Sequence, residues 1–375
     1  MGSVGSSTND IIATLDAVNP SQFGGDEVER LRVRAATRIW KAWTKEGGGK
    51  KAIDELVNLT GRDVEPNFIP VMLVQTYLYL GRLFRLLAAF YVVEETDVDT
   101  FKPTPFSYAI GDESTKVRAS LEAATYQYIS AGQNLPKYLA KIGYKVPTAA
   151  EDNYYAGSDP DGLNFFGRLQ KSPEYYEAFT GHMEAWTSWK TPWTKIYDPS
   201  RLIDGADLSK PLVVDVGGNT GIDISHVLKA RSDLPKGALV LQDLPEIIER
   251  ADVDEKIMAM AHDFFKPQPA KGARAYFMHA VLHDWPDAQA TQLLQNTKDA
   301  MTKGYSKLFV YDIVLPPTGA SISQTTMDVQ MMSLLSASER TESQWEELLT
   351  GARFKIVKFW PDPQQYEMLI EAEIA

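Results

Sequence analysis

Cysteine is missing from all 375 residues, which excludes disulfides, thiolate nucleophiles, iron–sulfur clusters and cysteine-built zinc sites together. Histidine is scarce: His182, His226, His262, His279 and His283 are the five imidazoles from which any ring chemistry must come. Positive charge is short, with 38 Lys and Arg against 50 Asp and Glu and a net charge of −12. That sign repels nucleic-acid backbones and anionic lipid, so neither is an expected partner. No long uninterrupted apolar run is present. The most apolar stretch, residues 70–93, carries Gln75, Arg82 and Arg85. A charge at a bilayer centre costs about 2.5–3.5 kcal/mol, so this stretch reads as a packed amphipathic helix rather than a membrane span. The start, MGSVGSSTNDII, lacks the basic residues and apolar core of a secretory signal. Met1-Gly2 with Ser6 fits the short N-myristoylation pattern, which a disordered small-residue start satisfies equally well. The expectation is a soluble, cytoplasmic protein.

Hydrophobic residues make up 44% of the chain, enough for globular cores, and the length corresponds to two or three domains. Residues 28–43 place Val28, Leu31, Ala35, Ile39 and Trp43 on one helical face before the run at Gly47–Lys51 breaks it. Two further helical patterns end near Leu87, and FYVVEETDVDTFKPTPFS then reads as a strand, an acidic turn and a second strand. Helices followed by a hairpin suggest a winged-helix module over residues 1–110. Binding DNA would require a cationic wing, whereas this turn offers Glu94, Glu95, Asp97 and Asp99; a dimerisation or lid domain fits better. Residues 111–195 are helical in pattern and aromatic in content. Rings there build a helical core, or wall a pocket for a flat ligand. Phe179, Met183 and Trp186, with Met327 and Met331 from later in the chain, are the candidate substrate-binding residues, since Met and aromatic side chains adapt to flat apolar ligands.

From Pro211 the texture changes to α/β alternation, and residues 196–375 are expected to form a Rossmann-like domain. LVVDV, GALVLQD, KIMAMAHDFF, ARAYFMHAVL and KLFVYDIVL read as successive strands, with a helix over Ala288–Met301. The tail, FKIVKFW and YEMLIEAEI around a proline-containing turn, reads as a hairpin, which suggests an α/β sheet whose last strand is inserted antiparallel.

The turn from Asp215 through Gly217, Gly218, Asn219 and Gly221 follows a strand and opens a helix. Glycines there let backbone approach a ligand. A dinucleotide fingerprint would place glycines at 217, 219 and 222, but the latter two are Asn219 and Ile222. A nucleoside without phosphates fits better. Asp243, ending the second strand, is placed to accept ribose hydroxyls, and Asp263 with Phe264 to bind adenine. Ligands of open α/β sheets sit beyond the carboxyl ends of the strands, which puts His283 at the predicted site. With an ordinary pKa near 6.5 it is a candidate general base. Asp312 and Glu339 are candidates to orient it. His182, His226 and His262 read as structural.

The set VVDVGGNTG, VLQDLPEII, HDFF, HAVLHDWPD, YDIVLP and ERTESQWEELL resembles the S-adenosyl-L-methionine (SAM)-dependent O-methyltransferases of the plant caffeate type, and particularly their fungal secondary-metabolism branch. The likeness spans nearly the whole chain. It implies a SAM-binding Rossmann-like domain behind an N-terminal winged-helix dimerisation domain, a homodimer, and no metal. It places the cofactor against Asp215, Gly217, Gly218, Gly221, Asp243, Leu244, Asp263, Phe264, His279 and Trp285. It makes His283 the base that deprotonates a substrate hydroxyl, flanked by Asp312 and Glu339. Three positions depart from the family pattern: Asn219 for Gly, His279 for Lys, and Asp312 for the longer Glu. The branch also contains methyltransferase-like pericyclases that bind SAM without transferring its methyl, and in the leporin-pathway type an Arg replaces the base His. The leading expectation is O-methylation of an aromatic or polyketide-like metabolite, with pericyclic catalysis as the alternative.

Overall fold

The computed structural model describes residues 82–98, 100–148, 159 and 161–375. The helical face at 28–43, the break at 47–51, residues 70–81 of the 70–93 stretch and the N-terminal acylation pattern lie outside the described residues. The chain divides into two compact units, Met1–Ser107 and Tyr108–Ala375.

In the first unit a helix covers residues 82–89, and the expected hairpin follows as β1 (Val93–Asp97) and β2 (Thr100–Pro103), antiparallel with Glu94 opposite Lys102. The acids Glu94, Glu95 and Asp97 lie on the strand rather than in the turn, and Glu94 pairs with Lys102 at 2.9 Å across the exposed ladder.

The second unit joins the aromatic helices and the sheet in one body, so the boundary expected near residue 195 does not separate compact units. Three helices, α1 (Ile129–Lys141), α2 (Phe165–Lys171) and α3 (Pro173–Ser188), meet α4 (Ile322–Leu335) around a buried cluster that includes Phe165, Leu169, Met331 and Leu334. Burying these apolar faces together is what binds the helical segment to the domain behind it. Strands β3 (Val213–Val216), β4 (Leu239–Asp243), β5 (Ile257–Ala261), β6 (Ala275–His279) and β7 (Lys307–Asp312) form a parallel core. The hairpin of β10 (Phe354–Pro361) and β11 (Met368–Ile374) completes it, with β11 antiparallel beside β7, giving the order β10-β11-β7-β6-β3-β4-β5. Central strands are buried on both faces, so alternate residues feed two cores: Tyr276 and Met278 point to one, Ala275 and Phe277 to the other. Two short strands, β8 (Val314–Leu315) and β9 (Arg340–Thr341), pair outside this sheet. They lead into α5 (Glu342–Gly351), whose start is a reciprocal cap between Thr341 and Gln344. Among the described residues no helix is long and apolar enough to cross a membrane.

Candidate active site

The glycine-rich turn sits at the carboxyl end of β3, where its conformation is dictated by contact. A side chain at Gly218 would bring a Cβ to 2.5 Å from the Asp215 carboxyl carbon and 2.6 Å from Leu241, so only glycine fits. Gly221, at φ +89, opens the helix Ile222–Ala230. Asn219 holds the left-handed backbone (φ 50) where the family likeness expected a third glycine, a conformation asparagine tolerates well. Its N–H donates to Asp243 Oδ2 at 2.9 Å, and Leu244 N–H donates to Oδ1 at 2.7 Å. Burial raises the Asp243 pKa while these two donors lower it. At the end of β5, Asp263 accepts from Phe265 N–H at 2.9 Å.

These groups open onto a cavity of about 360 Å³. Gly217, Gly218, Asp243, Leu244, Asp263, Phe264, His279 and Trp285, expected at the cofactor, line it together with Phe179, Met183 and Trp186, expected at the substrate. Trp285 is clamped between a stacked Phe166 (5.6 Å, 17°) and an edge-on Phe265 (4.6 Å, 86°). The remaining candidates stand elsewhere. Met327 and Met331 pack in the helical core and do not line this cavity, because the buried face of α4 turns to α1 and α2. Asp215 lies beneath the turn, and Gly221 at its back.

His283 also lies behind the wall. It is 4% exposed, and the cavity is lined instead by the next residue, Asp284, and by Trp186, whose ring is stacked on His283 at 6.2 Å. His283 Nδ1 bonds Glu339 Oε1 at 2.8 Å, with Asp312 Oδ1 at 3.5 Å; Nε2 faces Asp284 Oδ1 at 3.5 Å. The shorter side chain of Asp312 thus stands off while Glu339 makes the direct bond. Burial alone would push the ring's pKa down, but Asp312, Glu339 and Asp284 outweigh it and hold it at about 10. The three carboxylates facing the ring thus favour its protonated form, a departure from the ordinary pKa assumed in the sequence reading. Burial, opposed by His283 and reinforced by Glu339, pushes Asp284 up to about 6. Arg340, buried behind this loop, donates to the Leu282 and Trp285 carbonyls at 3.0 and 2.8 Å and fixes its shape.

His279 is spent on the protein. Nδ1 bonds Asp223 Oδ2 at 2.7 Å and Nε2 faces Glu367 Oε2 at 3.4 Å. Against the penalty of burial, these carboxylates raise its pKa to about 9. Glu367 also pairs with Lys190, whose ammonium lies 2.6 Å from the centre of the Trp186 ring. Burial lowers Lys190 to about 8 despite Glu367. Burial and Lys190 push His182 down to about 4, and burial likewise lowers His226 and His262.

With that geometry in view, comparison with known proteins is informative. Residues 162–355 match the family model described as an O-methyltransferase domain, and the chain is 38% identical to the O-methyltransferase ATR12 of Stachybotrys chlorohalonatus, over 98% of this chain and 99% of that one. The chain belongs to the O-methyltransferase domain family. It is also 32% identical to the O-methyltransferase mfmE of Annulohypoxylon moriforme, over 92% of this chain and 82% of that one. Among solved structures, LepI in complex with SAM aligns over 100% of both chains (TM-score 0.71, 23% identity). OxaC with S-adenosylhomocysteine (SAH) and oxaline aligns over 100% of this chain and 88% of that one (TM-score 0.72, 22% identity). At these identities the structural matches establish a shared class I methyltransferase fold.

For a member of this family, several residues escaped the sequence reading. Asp284 was visible inside HAVLHDWPD, but its neighbour His283 drew the attention. Asp223, Lys190 and Glu367 had no local signal: each is a single charge whose partner comes from a distant segment, 177 residues away for Lys190 and Glu367.

Proposed function

We propose that this chain transfers a methyl group from SAM to a hydroxyl of a flat, largely apolar aromatic or polyketide-like metabolite. What supports the reading is a single cavity, in a chain of this family, lined by a glycine turn, carboxylates near strand ends and aromatic side chains. The turn at Gly217–Gly221 would hold the amino-acid end of SAM, Asp243 and Leu244 the ribose, and Asp263 with Phe264 the adenine. When bound, SAM supplies a sulfonium methyl that passes to the acceptor oxygen while sulfur keeps the electron pair of the broken bond. The chain's own contribution is position and charge. Phe179, Trp186 and Trp285 align a planar acceptor and displace water. The acceptor proton passes to a cavity-facing Asp284 carboxylate oxygen, and the His283 imidazolium behind it stabilises negative charge growing on the acceptor oxygen. Glu339 and Asp312 keep that ring charged and oriented. The family likeness extends the proposal to a homodimer built on the N-terminal unit, which light scattering would measure.

A protonated His283 also favours a second reading, in which SAM stays intact and the buried cation promotes a dehydration or cycloaddition of a neutral substrate. Mass spectrometry separates the two. Incubation with SAM and fractionated aromatic and polyketide metabolites is expected to give a product heavier by one methylene, with SAH in equal amount. A product of unchanged mass without SAH would refute methyl transfer and is what the second reading expects.

A further inference from the structure

We infer that Asp223 is a cofactor-binding residue that receives the α-ammonium group of SAM; this rests on the reading that the cavity holds that molecule. Asp223 lies on the cavity wall beside the glycine turn, in the first turn of the helix Ile222–Ala230. Asp243, at the end of β4, and Asp263, two residues beyond β5, stand where the proposal puts ribose and adenine, which leaves Asp223 at the amino-acid end. Its Oδ2 is fixed by the His279 ring at 2.7 Å, and its Oδ1 makes no hydrogen bond among the described residues, although the side chain is only 10% exposed. A carboxylate oxygen with unused acceptor capacity, on a largely buried side chain at a cavity wall, is matched by a cationic donor.

Charge on the opposing elements points the same way. Among the described residues, no Lys or Arg lines the cavity, while Asp223, Asp243, Glu246, Asp263 and Asp284 do. The basic ring at the wall, His279, has both nitrogens turned to protein carboxylates, Asp223 and Glu367. It therefore acts as a positioning residue: it holds Asp223 in place from β6, with its Nε2 turned to Glu367.

Calorimetry with SAH and with 5′-methylthioadenosine, which shares the adenosine and sulfur but lacks the amino-acid end, tests the assignment. Asp223→Asn is expected to weaken SAH about tenfold to a hundredfold and to leave 5′-methylthioadenosine within about twofold. If SAH binds the variant as well as or better than the wild type, or if both ligands weaken equally, the assignment fails. A measurement on the unmodified protein guards against a misfolded variant: SAH lacking its α-amino group must bind about tenfold or more weaker than SAH, and equal affinity overturns the inference. Absence of SAH binding by the wild type would instead refute the SAM reading itself.

Discussion

Glu339→Gln probes the charge on which the site depends. Glu339 makes the direct hydrogen bond to His283, at 2.8 Å, and with Asp312 and Asp284 holds the ring at about 10 against an ordinary value near 6.5. At about 1.36 kcal/mol per pH unit, that difference is on the order of 5 kcal/mol, shared among three carboxylates. Because the folded value lies above the unfolded one, this stabilisation is fully present below about pH 6.5 and is lost as pH climbs through 10. The raised values of Asp312, about 7, and Asp284, about 6, act in the same direction, since the folded state keeps protons that the unfolded chain has released. The share of stability carried by these three groups is therefore expected to fall between about pH 4 and 10, while Lys190 and His182, whose values are lowered, contribute in the opposite sense. Replacing Glu339 by Gln keeps the shape but removes one charge, and should lower the His283 pKa by about 1–2 and flatten the alkaline half of the decline. Titration of ring-labelled histidine by NMR, assigned with His283→Gln, reads the first quantity, and urea unfolding at several pH values reads the second. A wild-type His283 that titrates near its ordinary value, or an unmoved one in Glu339→Gln, would refute the imidazolium.

Other outcomes follow from the same geometry. Asp243→Ala should weaken SAH by ~1–3 kcal/mol in calorimetry, because a buried ribose loses a charged acceptor; equal affinity would put the nucleoside elsewhere. Gly218→Ala must push the turn away from Asp215 and Leu241, so SAH affinity should fall more than about tenfold with a lowered thermal midpoint, and retained affinity would refute the fit. Arg340→Ala should cost about 2–4 kcal/mol in equilibrium unfolding, since it leaves the Trp285 carbonyl without its donor and the Leu282 carbonyl with only the long bond from Trp285 N–H. A loss below about 0.5 kcal/mol would show that the His283 loop is held by other means.

Much of the catalytic half was legible because parallel strands buried on both faces leave unbroken apolar runs, as at Val213–Val216 and Ala275–Met278. Strand ends followed, and with them Asp243, Asp263 and the glycine turn. Edge strand β5 was less clear: it stops at Ala261, two residues short of Asp263, and its exposed Met258 and Ala259 mimic a buried run. Helical periodicity showed that Met327 and Met331 face inward, but could not tell a cavity wall from a helical core. Charge states were the least legible. Whether His283 is a base or a cation depends on Asp312, on Asp284 and on Glu339 beyond α4, and only the folded chain brings these together.

Trp186 carries a practical consequence. The Lys190 ammonium lies over its indole, and the His279 and His283 rings are stacked with it at 5.7 and 6.2 Å. Protonated imidazole quenches indole emission, so the fluorescence difference between the native protein and Trp186→Phe is a built-in optical gauge of the buried cluster, readable without a label.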